Sequence, residues 1–292
     1  MSLLMQLTVN GLIAGSIYAL VASGFSLIYS TNRFMHFAHG ISVVLSGYIL
    51  YNMFSILKLN FVMSIFLTLI LAGVFGYGIN RLVYLPLEKR KASNVILLMA
   101  SIAILILFQN LIQLVFGADA KTIGYVEVEK GLDIFGAIIT PLQIVIIAVS
   151  LILFISLYFF MKKTRLGREM RAVSDNKSLS AIVGINQERV SNYSFIIGSM
   201  LAGIAGILIA LEQNLEPAMG TSLVIKGFSG AVIGSIMSVP ASILGSYILG
   251  FAENYGIWFL PSGYKDAIAF VLLFLFLLLR PNGLFGKDRR LR

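Results

Sequence analysis

Long runs of apolar residues alternate with short polar segments along the whole chain. The runs fall at 7–30, 37–57, 61–84, 94–116, 141–161, 192–211, 223–238, 242–260 and 266–280. Most are long enough to cross the hydrocarbon core of a bilayer as a helix, which takes about 20 residues. They do not alternate between apolar and polar residues as the strands of a membrane β-barrel do. The pattern predicts an all-α polytopic membrane protein with about eight or nine transmembrane helices.

The run at 223–238 differs from the others because it is short and rich in glycine and serine. A run of this kind indicates a half-helix or a re-entrant segment. Phe37–Leu50 and Gly227–Leu249 also resemble each other, with a Gly/Ser-rich start and a Tyr-Ile-Leu ending. Two such segments indicate an internal repeat of the kind found in transporters. The alternative is that two glycine-rich membrane helices are alike by chance.

The charges lie mostly in the connecting segments and predict the orientation of the chain. Segments 162–191, 280–292 and 84–93 carry net charges of +4, +4 and +2, whereas 117–140 carries −2. The positive-inside rule places the three basic segments in the cytoplasm and the acidic one outside. The C-terminus is then cytoplasmic, and the N-terminus is external if all nine runs cross. In the acidic segment, alternation over 125–129 followed by Lys130 and Gly131 predicts a small external hairpin.

The composition excludes several classes of function. The chain is 58% hydrophobic and 12% charged, with a mean hydropathy of +0.92, which a soluble domain could not accommodate. Its net charge of +9 therefore indicates membrane topology rather than a nucleic-acid partner. The absence of cysteine excludes thiol catalysis and zinc–thiolate sites, and there are only two histidines. No nucleotide-binding P-loop is present, since the glycines of 283–288 have the wrong spacing. We therefore expect no cofactor or metal, and any ATP must be bound by another chain.

The first apolar run has no basic region before it and no cleavage site, so it is interpreted as a retained helix rather than a signal peptide. The longest polar segment, 162–191, is too short to form a soluble core of its own. The sequence thus predicts one transmembrane domain over 1–292. Within the polar segment, the pattern predicts two short amphipathic helices, the second capped by Asp175 or Asn176 and ended by Gly184. Such a basic pair suits docking into a groove of a partner protein. A solvated loop that only fixes topology explains it equally well.

Polar residues inside the apolar runs are candidates for function, because hydrocarbon penalises them. Gln109 and Asn110 are expected to form hydrogen bonds between helices. Glu253 is expected to face a partner, a cavity or an interface. His36 and His39 share a helical face, which suits a ligand-binding or pH-sensing role or, more simply, hydrogen bonding at a helix end. Glycines and alanines at four-residue spacing are more typical of helix packing than of a transport pathway.

A set of short motifs, in order along nearly the whole chain, resembles the Liv-type branched-chain amino acid permeases of bacterial ABC importers. The motifs include Gly24–Tyr29, Phe37–Gly40, Leu85–Leu87, Ile106–Asn110, Leu166–Ala172, Ala181–Asn186, Gly227–Gly234, Leu249–Glu253, Tyr264–Asp266 and Pro281–Gly286. The resemblance implies an all-helical permease subunit in the bacterial inner membrane that is not itself an enzyme. It implies two cytoplasmic ATPase subunits, a second related permease and an external binding protein that delivers an amino acid.

The resemblance also implies functional residues. Segment 164–186 would contact the ATPase, with the contributing positions Leu166, Gly167, Arg168, Arg171, Asp175, Ala181 and Gly184. Two stretches would lie near the translocation pathway. With the buried polar residues, the pathway candidates are His36, Phe37, Ala38, His39, Gly40, Gln109, Asn110, Gly227, Gly230, Gly234 and Glu253.

The chain departs from the family pattern at His36, where Asn is usual, and at Val232–Ile236, where a glycine pair is usual. Both departures lie near the implied pathway, so related solutes such as urea, short amides or sugars stay open. Two other functional classes compete with the permease. One is an ion-coupled secondary carrier, for which Glu253 is the best ion-site candidate. The other is a membrane-embedded enzyme that uses His36 and His39.

Overall fold

The computed structural model describes residues 2–125, 131–134 and 136–286. The described elements are α1 (Ser2–Asn32), α2 (His39–Leu50), α3 (Phe61–Ile79), α4 (Leu85–Lys89), α5 (Asn94–Phe116), β1 (Leu132–Ile134), β2 (Ala137–Ile139), α6 (Pro141–Lys163), α7 (Arg165–Asp175), α8 (Lys177–Ile182), α9 (Gln187–Glu212), α10 (Met219–Gly234), α11 (Val239–Gly256) and α12 (Lys265–Leu279). π-Helical turns extend α2 through Tyr51–Ile56 and join α3 to α4 through Asn80–Tyr84. A 3-10 turn, Ser262–Tyr264, leads into α12.

Seven of the described helical stretches are long and apolar enough to cross a membrane, and the bent pair α10–α11 makes an eighth if it is counted as one span. The prediction of an all-α polytopic membrane protein is confirmed. Helix starts follow the side chains that cap them. Asn60, Ser93 and Thr140 each accept a hydrogen bond from a backbone N–H in the first turn of α3, α5 and α6. These bonds satisfy donors that have no partner within the helix.

The two ends of the bundle are defined by the contacts of α1. Near its start, the side chain of Gln6 forms two hydrogen bonds with the backbone of Ile138 in β2, at 2.8 and 3.2 Å. Just beyond its other end, Arg33 donates to the carbonyl oxygen of Ser174 in α7. We call these the hairpin end and the α7 end. The chain therefore begins at the hairpin end.

The last described residues lie at the α7 end. The backbone N–H groups of Leu284 and Phe285 donate to the carbonyl oxygens of Ile233 and Gly234, at 2.9 and 3.0 Å. The α10–α11 turn that follows these residues packs near α7, since Val239 belongs to the same apolar cluster as Met170. The N-terminal and C-terminal parts of the described chain thus lie at opposite ends of the bundle.

Helix α2 begins in the interior of the bundle rather than at its surface. After α1 ends, residues 33–38 turn back toward the centre, and His39 in the first turn of α2 contacts α1 at Val21 and Gly24. From there α2 runs to the hairpin end, where Ser55 donates to the carbonyl oxygen of Ile123 at 3.0 Å. The sequence predicted an apolar run from 37 onward, but not that its first turn lies inside the bundle.

Helices α10 and α11 form a helical hairpin. Their axes differ by 113° at a break of four residues or fewer. Small residues allow the two helices to approach, because a Cβ at Gly230 would overlap Ser246 and one at Gly234 would overlap the backbone of Ala241. The expectation of a broken or re-entrant helix near 223–238 is therefore confirmed.

The first and last thirds of the bundle form an inverted repeat. Helices α1, α2, α3 and α5 correspond in order to α9, α10, α11 and α12. The packing of α1 on α11, α1 on α10, α2 on α3 and α2 on α5 recurs as α9 on α3, α9 on α2, α10 on α11 and α10 on α12. The hairpin-end contact of Lys121 with Leu215, beyond the C-terminal end of α9, shows that α9 runs opposite to α1.

The repeat is not the one indicated by the sequence. The predicted repeat paired 37–50 with 227–249, which lie in α2 and in α10–α11. In the structure, α2 pairs with α10 alone. Both follow a six-residue connection that ends in Ala, and an Ala-x-Gly sequence spans the junction with the helix. The N–H of His39 donates to the carbonyl oxygen of His36, and the N–H of Met219 to that of Glu216, at 3.1 and 3.3 Å. The predicted pairing rested on the two Tyr-Ile-Leu endings. These endings lie on α2 and α11, which do not correspond to each other in the repeat.

The short β-hairpin pairs β1 with β2, with Leu132 opposite Ile139. It lies in the predicted acidic segment but later in the chain than expected. Tyr125 is not in a strand, and 126–130 lie outside the described residues.

Candidate functional site

The connection between α1 and α2 places both histidines in the protein interior. His36 is 1% exposed, and its Nδ1 lies 2.8 Å from the hydroxyl of Tyr84. His39 is fully buried and donates through Nε2 to the carbonyl oxygen of Val21, at 3.1 Å. The second ring nitrogen of each has no partner among the described residues. The two rings lie 6.1 Å apart. No third metal-ligating side chain joins them in the described part of the chain.

Phe37 and Ala38 complete this connection. The N–H of Phe37 donates to Ser101 in α5 at 3.2 Å, and its ring packs against Phe25 and Phe228. Ala38 is fully buried at the start of α2. This stretch therefore links α1, α2, α5 and α10 near the centre of the bundle.

Gly40 and Gly220 meet at the centre of the inverted repeat. A Cβ at Gly40 would overlap the carbonyl oxygen of Gly220 and lie 2.9 Å from the Cβ of Val224. Reciprocally, a Cβ at Gly220 would lie 2.9 Å from the carbonyl oxygen of Gly40 and 2.8 Å from Val44. The starts of α2 and α10 thus cross backbone to backbone, which only glycine permits.

The other candidate glycines of α10 also lie against neighbouring helices. Gly227 packs on Val21 of α1, Gly230 on Ser246 of α11, and Gly234 on Ala241 of α11. All three are buried. In the described state they form packing contacts rather than the wall of an open channel.

Glu253 belongs to a charged cluster formed by four helices. It is fully buried, and its Oε2 accepts a hydrogen bond from the hydroxyl of Tyr18 at 2.7 Å. Lys226 of α10 lies 3.5 Å from the same carboxylate and 2.8 Å from Asp266 of α12. The ammonium also donates to the hydroxyl of Tyr18 at 3.2 Å. The sequence-based expectation that Glu253 faces a partner is therefore met by Lys226.

Gln109 and Asn110 lie toward the outer face of α5. Thr221 of α10 donates to Gln109 at 3.4 Å, so Gln109 forms the expected contact between helices. Asn110 is exposed and donates to the carbonyl oxygen of Ile106 in its own helix, at 2.7 Å. This local bond corrects the expectation of an interhelical one. It satisfies a polar side chain on a surface that has no partner helix in the described chain.

At the α7 end, the two predicted short helices are present as α7 and α8. Thr164 caps α7 by accepting from the N–H of Gly167 at 3.0 Å, and Asn176 caps α8 by accepting from that of Leu179 at 3.0 Å. Gly184 has a φ of +82° just beyond α8, as expected for a residue that ends a helix. Gly167 is buried against the backbone of α6, where any side chain would overlap Phe160 and Met161.

The outer surface of this pair carries both charge and apolar side chains. Arg168, Arg171, Asp175, Ala181 and Gly184 are exposed, and Leu166 is half-buried. Three large apolar residues lie exposed in the same region, namely Leu179, Ile182 and Val183, at 58%, 79% and 73%. We call these three residues the α8 apolar patch.

A family model described as the permease component of branched-chain amino acid transport systems matches residues 7–277. The chain belongs to this family. Full-length relatives of this permease agree with the assignment. This chain is 33% identical to the high-affinity branched-chain amino acid transport system permease protein BraD of Pseudomonas aeruginosa, and the alignment covers 97% of this chain and 96% of BraD. It is 30% identical to the corresponding protein LivH of Escherichia coli, with the same coverage.

More distant similarities extend to another solute and another assembly. The ribose import permease protein RbsC of Haemophilus influenzae is 27% identical over 47% of the permease chain. Among solved structures, a chain of PsaBC from Streptococcus pneumoniae, determined in complex with a Fab, aligns with a TM-score of 0.52 over 94% of this chain and 91% of that one. The identity is 15%, so this likeness shows a shared fold alone.

The sequence interpretation missed the partners in the charged cluster and the α8 apolar patch of the permease. Lys226 is a lone lysine within the apolar run 223–238, and this position alone marks it as a candidate partner for a buried carboxylate. Tyr18 carried no signal, because tyrosine is common in membrane helices. The patch residues were visible as apolar positions on α8, but their exposure depends on how α8 rests on the bundle.

Proposed function

We propose that this permease is the membrane subunit of an ATP-driven ABC importer for branched-chain or closely related amino acids. The observation that carries the proposal is the family match over nearly the whole chain, together with relatives of that stated function along their full length. The ribose permease matches only part of the chain, which favours amino acids over sugars.

The α7–α8 pair would receive the partner ATPase. Its exposed arginines and the α8 apolar patch together give a surface that suits burial in a groove of another protein. Gly167 fixes the corner between α6 and α7, so a displacement of the pair would be transmitted to α6. Two such ATPase subunits would supply nucleotide binding, since the permease chain has no P-loop.

The pathway would lie near the crossing of α2 and α10. Phe37–Gly40 lies at the interior start of α2, and Gly227–Gly234 forms the second half of α10, up to its bend into α11. Transporters commonly place their substrate region at the interface of two repeats with broken helices. ATP binding would move α7 and α8, and this motion would open the close packing at the crossing.

The hairpin end would face outward and the α7 end the cytoplasm. This orientation satisfies the positive-inside rule, since 162–191 lies at the α7 end with a net charge of +4. An external binding protein would then deliver the amino acid at the hairpin end. A second related permease would complete the translocation unit in the bacterial inner membrane.

The test is reconstitution of the permease into proteoliposomes with its co-purifying partners. Uptake of labelled leucine should require ATP, the ATPase subunits and the binding protein together. Omitting the ATPase from matched vesicles is the control. Gradient-driven uptake by the permease chain alone would overturn the proposal in favour of a secondary carrier.

A further inference from the structure

Lys226 is the basic member of a polar cluster that four helices form. It lies on α10, and its ammonium reaches Glu253 on α11, Tyr18 on α1 and Asp266 on α12. The three distances are 3.5, 3.2 and 2.8 Å. One side chain therefore links four helices in the half of the bundle nearer the hairpin end.

The two carboxylates that share Lys226 have very different surroundings. The side chain of Glu253 is completely buried, whereas that of Asp266 is 61% exposed. Burying a charge without a partner in this environment is costly, whereas an ion pair with an exposed partner is weak. Lys226 can therefore lose Asp266 to solvent and still be neutralised by Glu253, with Tyr18 hydrogen-bonded to both. If Lys226 instead lost Glu253 and kept Asp266, the Glu253 carboxylate would be left buried without a cationic partner.

Helix α12 belongs to the least buried of the seven candidate membrane spans, so few interior contacts hold it in place. Of its fifteen residues, all of them described, only Ala269 is buried. Beyond its C-terminal end, two backbone hydrogen bonds from Leu284 and Phe285 join the chain to the end of α10. Near its start, Asp266 joins it to Lys226. The helix is thus joined to α10 at both ends, by backbone hydrogen bonds at the α7 end and by an exchangeable ion pair at the hairpin end, where Lys265 also donates to Asn254 of α11.

The inverted repeat offers an internal comparison. Lys226 lies six residues after Gly220, and the residue six positions after Gly40 in α2 is Ser46. Ser46 donates to the carbonyl oxygen of Ser42 in its own helix, and no ion pair between described residues joins α2 to α5. The first repeat unit therefore packs α2 against α5, the equivalent of α10 against α12, without an ion pair between described residues. The buried charge in the second half is not a requirement of the architecture.

We propose that Lys226 is a positioning residue that latches α12 to α10, and that release of Asp266 lets the start of α12 swing away at the hairpin end during transport. The crevice between α10 and α12 is narrow in this structure, with about 20 Å³ of free volume. Ser222, Ile225 and Phe270 line it beside the ion pair. Opening it would uncover a polar and apolar surface on the side that receives the solute. The transport role, though not the latch itself, rests on the proposed function.

The latch is tested by cysteine labelling in membranes. The chain contains no cysteine, so Ala269→Cys introduces a single thiol at a site that is 1% exposed. With the latch intact, a maleimide should label it slowly. Asp266→Asn should raise the labelling rate by about two- to fivefold, the range expected from loss of one ion pair with an exposed partner. Ala267→Asn, which places the same amide at an exposed neighbouring position of α12, is the matched control and should leave the rate unchanged.

Lys226→Met should raise the labelling rate further, because α12 and Glu253 both lose their partner. If that variant fails to fold, Lys226→Met/Glu253→Gln removes both buried charges and restores a neutral interior while α12 remains unlatched. Equal labelling rates in wild type, Asp266→Asn and the double variant would overturn the latch. This result needs no partner subunit, so it is independent of whether the importer proposal holds.

The transport role is tested in the reconstituted importer. Asp266→Asn should lower the number of solute molecules moved per ATP hydrolysed, without lowering the maximal rate of ATP hydrolysis. A latch with only a structural role would change protein yield and leave that ratio unaltered. If Asp266→Asn speeds labelling but leaves the number of solute molecules moved per ATP unchanged, the transport role is overturned, whereas the latch between α10 and α12 stands.

Discussion

At the scale of single residues, the centre of this permease depends on the absence of side chains. Gly40 and Gly220 bring two helix backbones into direct contact, and the carbonyl oxygen of each occupies the space where the other would place a Cβ. Close backbone approach of this kind is how membrane helices gain packing energy without a hydrophobic driving force. A methyl group at this crossing has no flexible neighbour to displace.

We therefore expect Gly40→Ala to destabilise the permease by about 1–3 kcal/mol, the usual cost of overpacking a close contact. The thermal midpoint of the detergent-solubilised protein measures the effect. Gly78→Ala is the control, because a Cβ at Gly78 meets nothing within 4 Å. That variant should be unchanged or slightly more stable, since alanine favours helix more than glycine does. Equal loss in both variants would argue against a specific contact at the crossing.

One hydrogen bond of the histidine connection links it to the junction of α3 and α4, a distant segment of the chain. Tyr84 lies at the junction of α3 and α4, and its hydroxyl is 2.8 Å from Nδ1 of His36. We expect Tyr84→Phe to cost about 1–3 kcal/mol, because it leaves a buried polar nitrogen unsatisfied. Tyr29→Phe is the control, as its hydroxyl makes no hydrogen bond to another described residue. Denaturation midpoints that fall equally would contradict this role for the His36–Tyr84 bond.

At the scale of helices, the sequence predicted which segments are helical better than where they lie. The apolar runs, the re-entrant segment and the short helices α7 and α8 follow from local composition and capping, as Asn176 illustrates. The interior start of α2 does not, because the depth of His39 is set by contacts with α1 and α10. The same holds for Glu253, whose need for a partner was evident but whose partner lies 27 positions away along the chain, in another helix.

The α8 apolar patch leads to a prediction at this scale. If the patch is buried by the ATPase, Ile182→Asp should abolish co-purification of the ATPase, because a charge would be buried in an apolar contact without a partner. Ser178→Asp places the same charge at an exposed polar position of the same helix and should leave co-purification unchanged. Retention of the ATPase by both variants would show that the docking surface lies elsewhere. A normal yield of each permease variant excludes unfolding as the cause.

At the scale of the whole molecule, the two inverted repeat units use the same helix packing for different purposes. The first half places histidines and aromatic rings at its break, whereas the second carries Lys226, Glu253 and Asp266. A repeat of this kind was only weakly visible in the sequence, because the halves share topology and an Ala-x-Gly start rather than extended similarity. Contact between the two starts, at Gly40 and Gly220, is what makes the correspondence clear.

Exposed serines at the two opposite ends of the bundle make the orientation testable without disturbing the fold. The chain has no cysteine, so Ser262→Cys at the hairpin end and Ser178→Cys at the α7 end each report one side with no background. Both serines are exposed, and both changes replace one oxygen by sulfur. With the α7 end in the cytoplasm, a membrane-impermeant maleimide should label the Ser262→Cys variant in intact cells and the Ser178→Cys variant only after permeabilisation. The reverse pattern would place the basic α7–α8 surface outside, against the positive-inside rule and beyond the reach of a cytoplasmic ATPase.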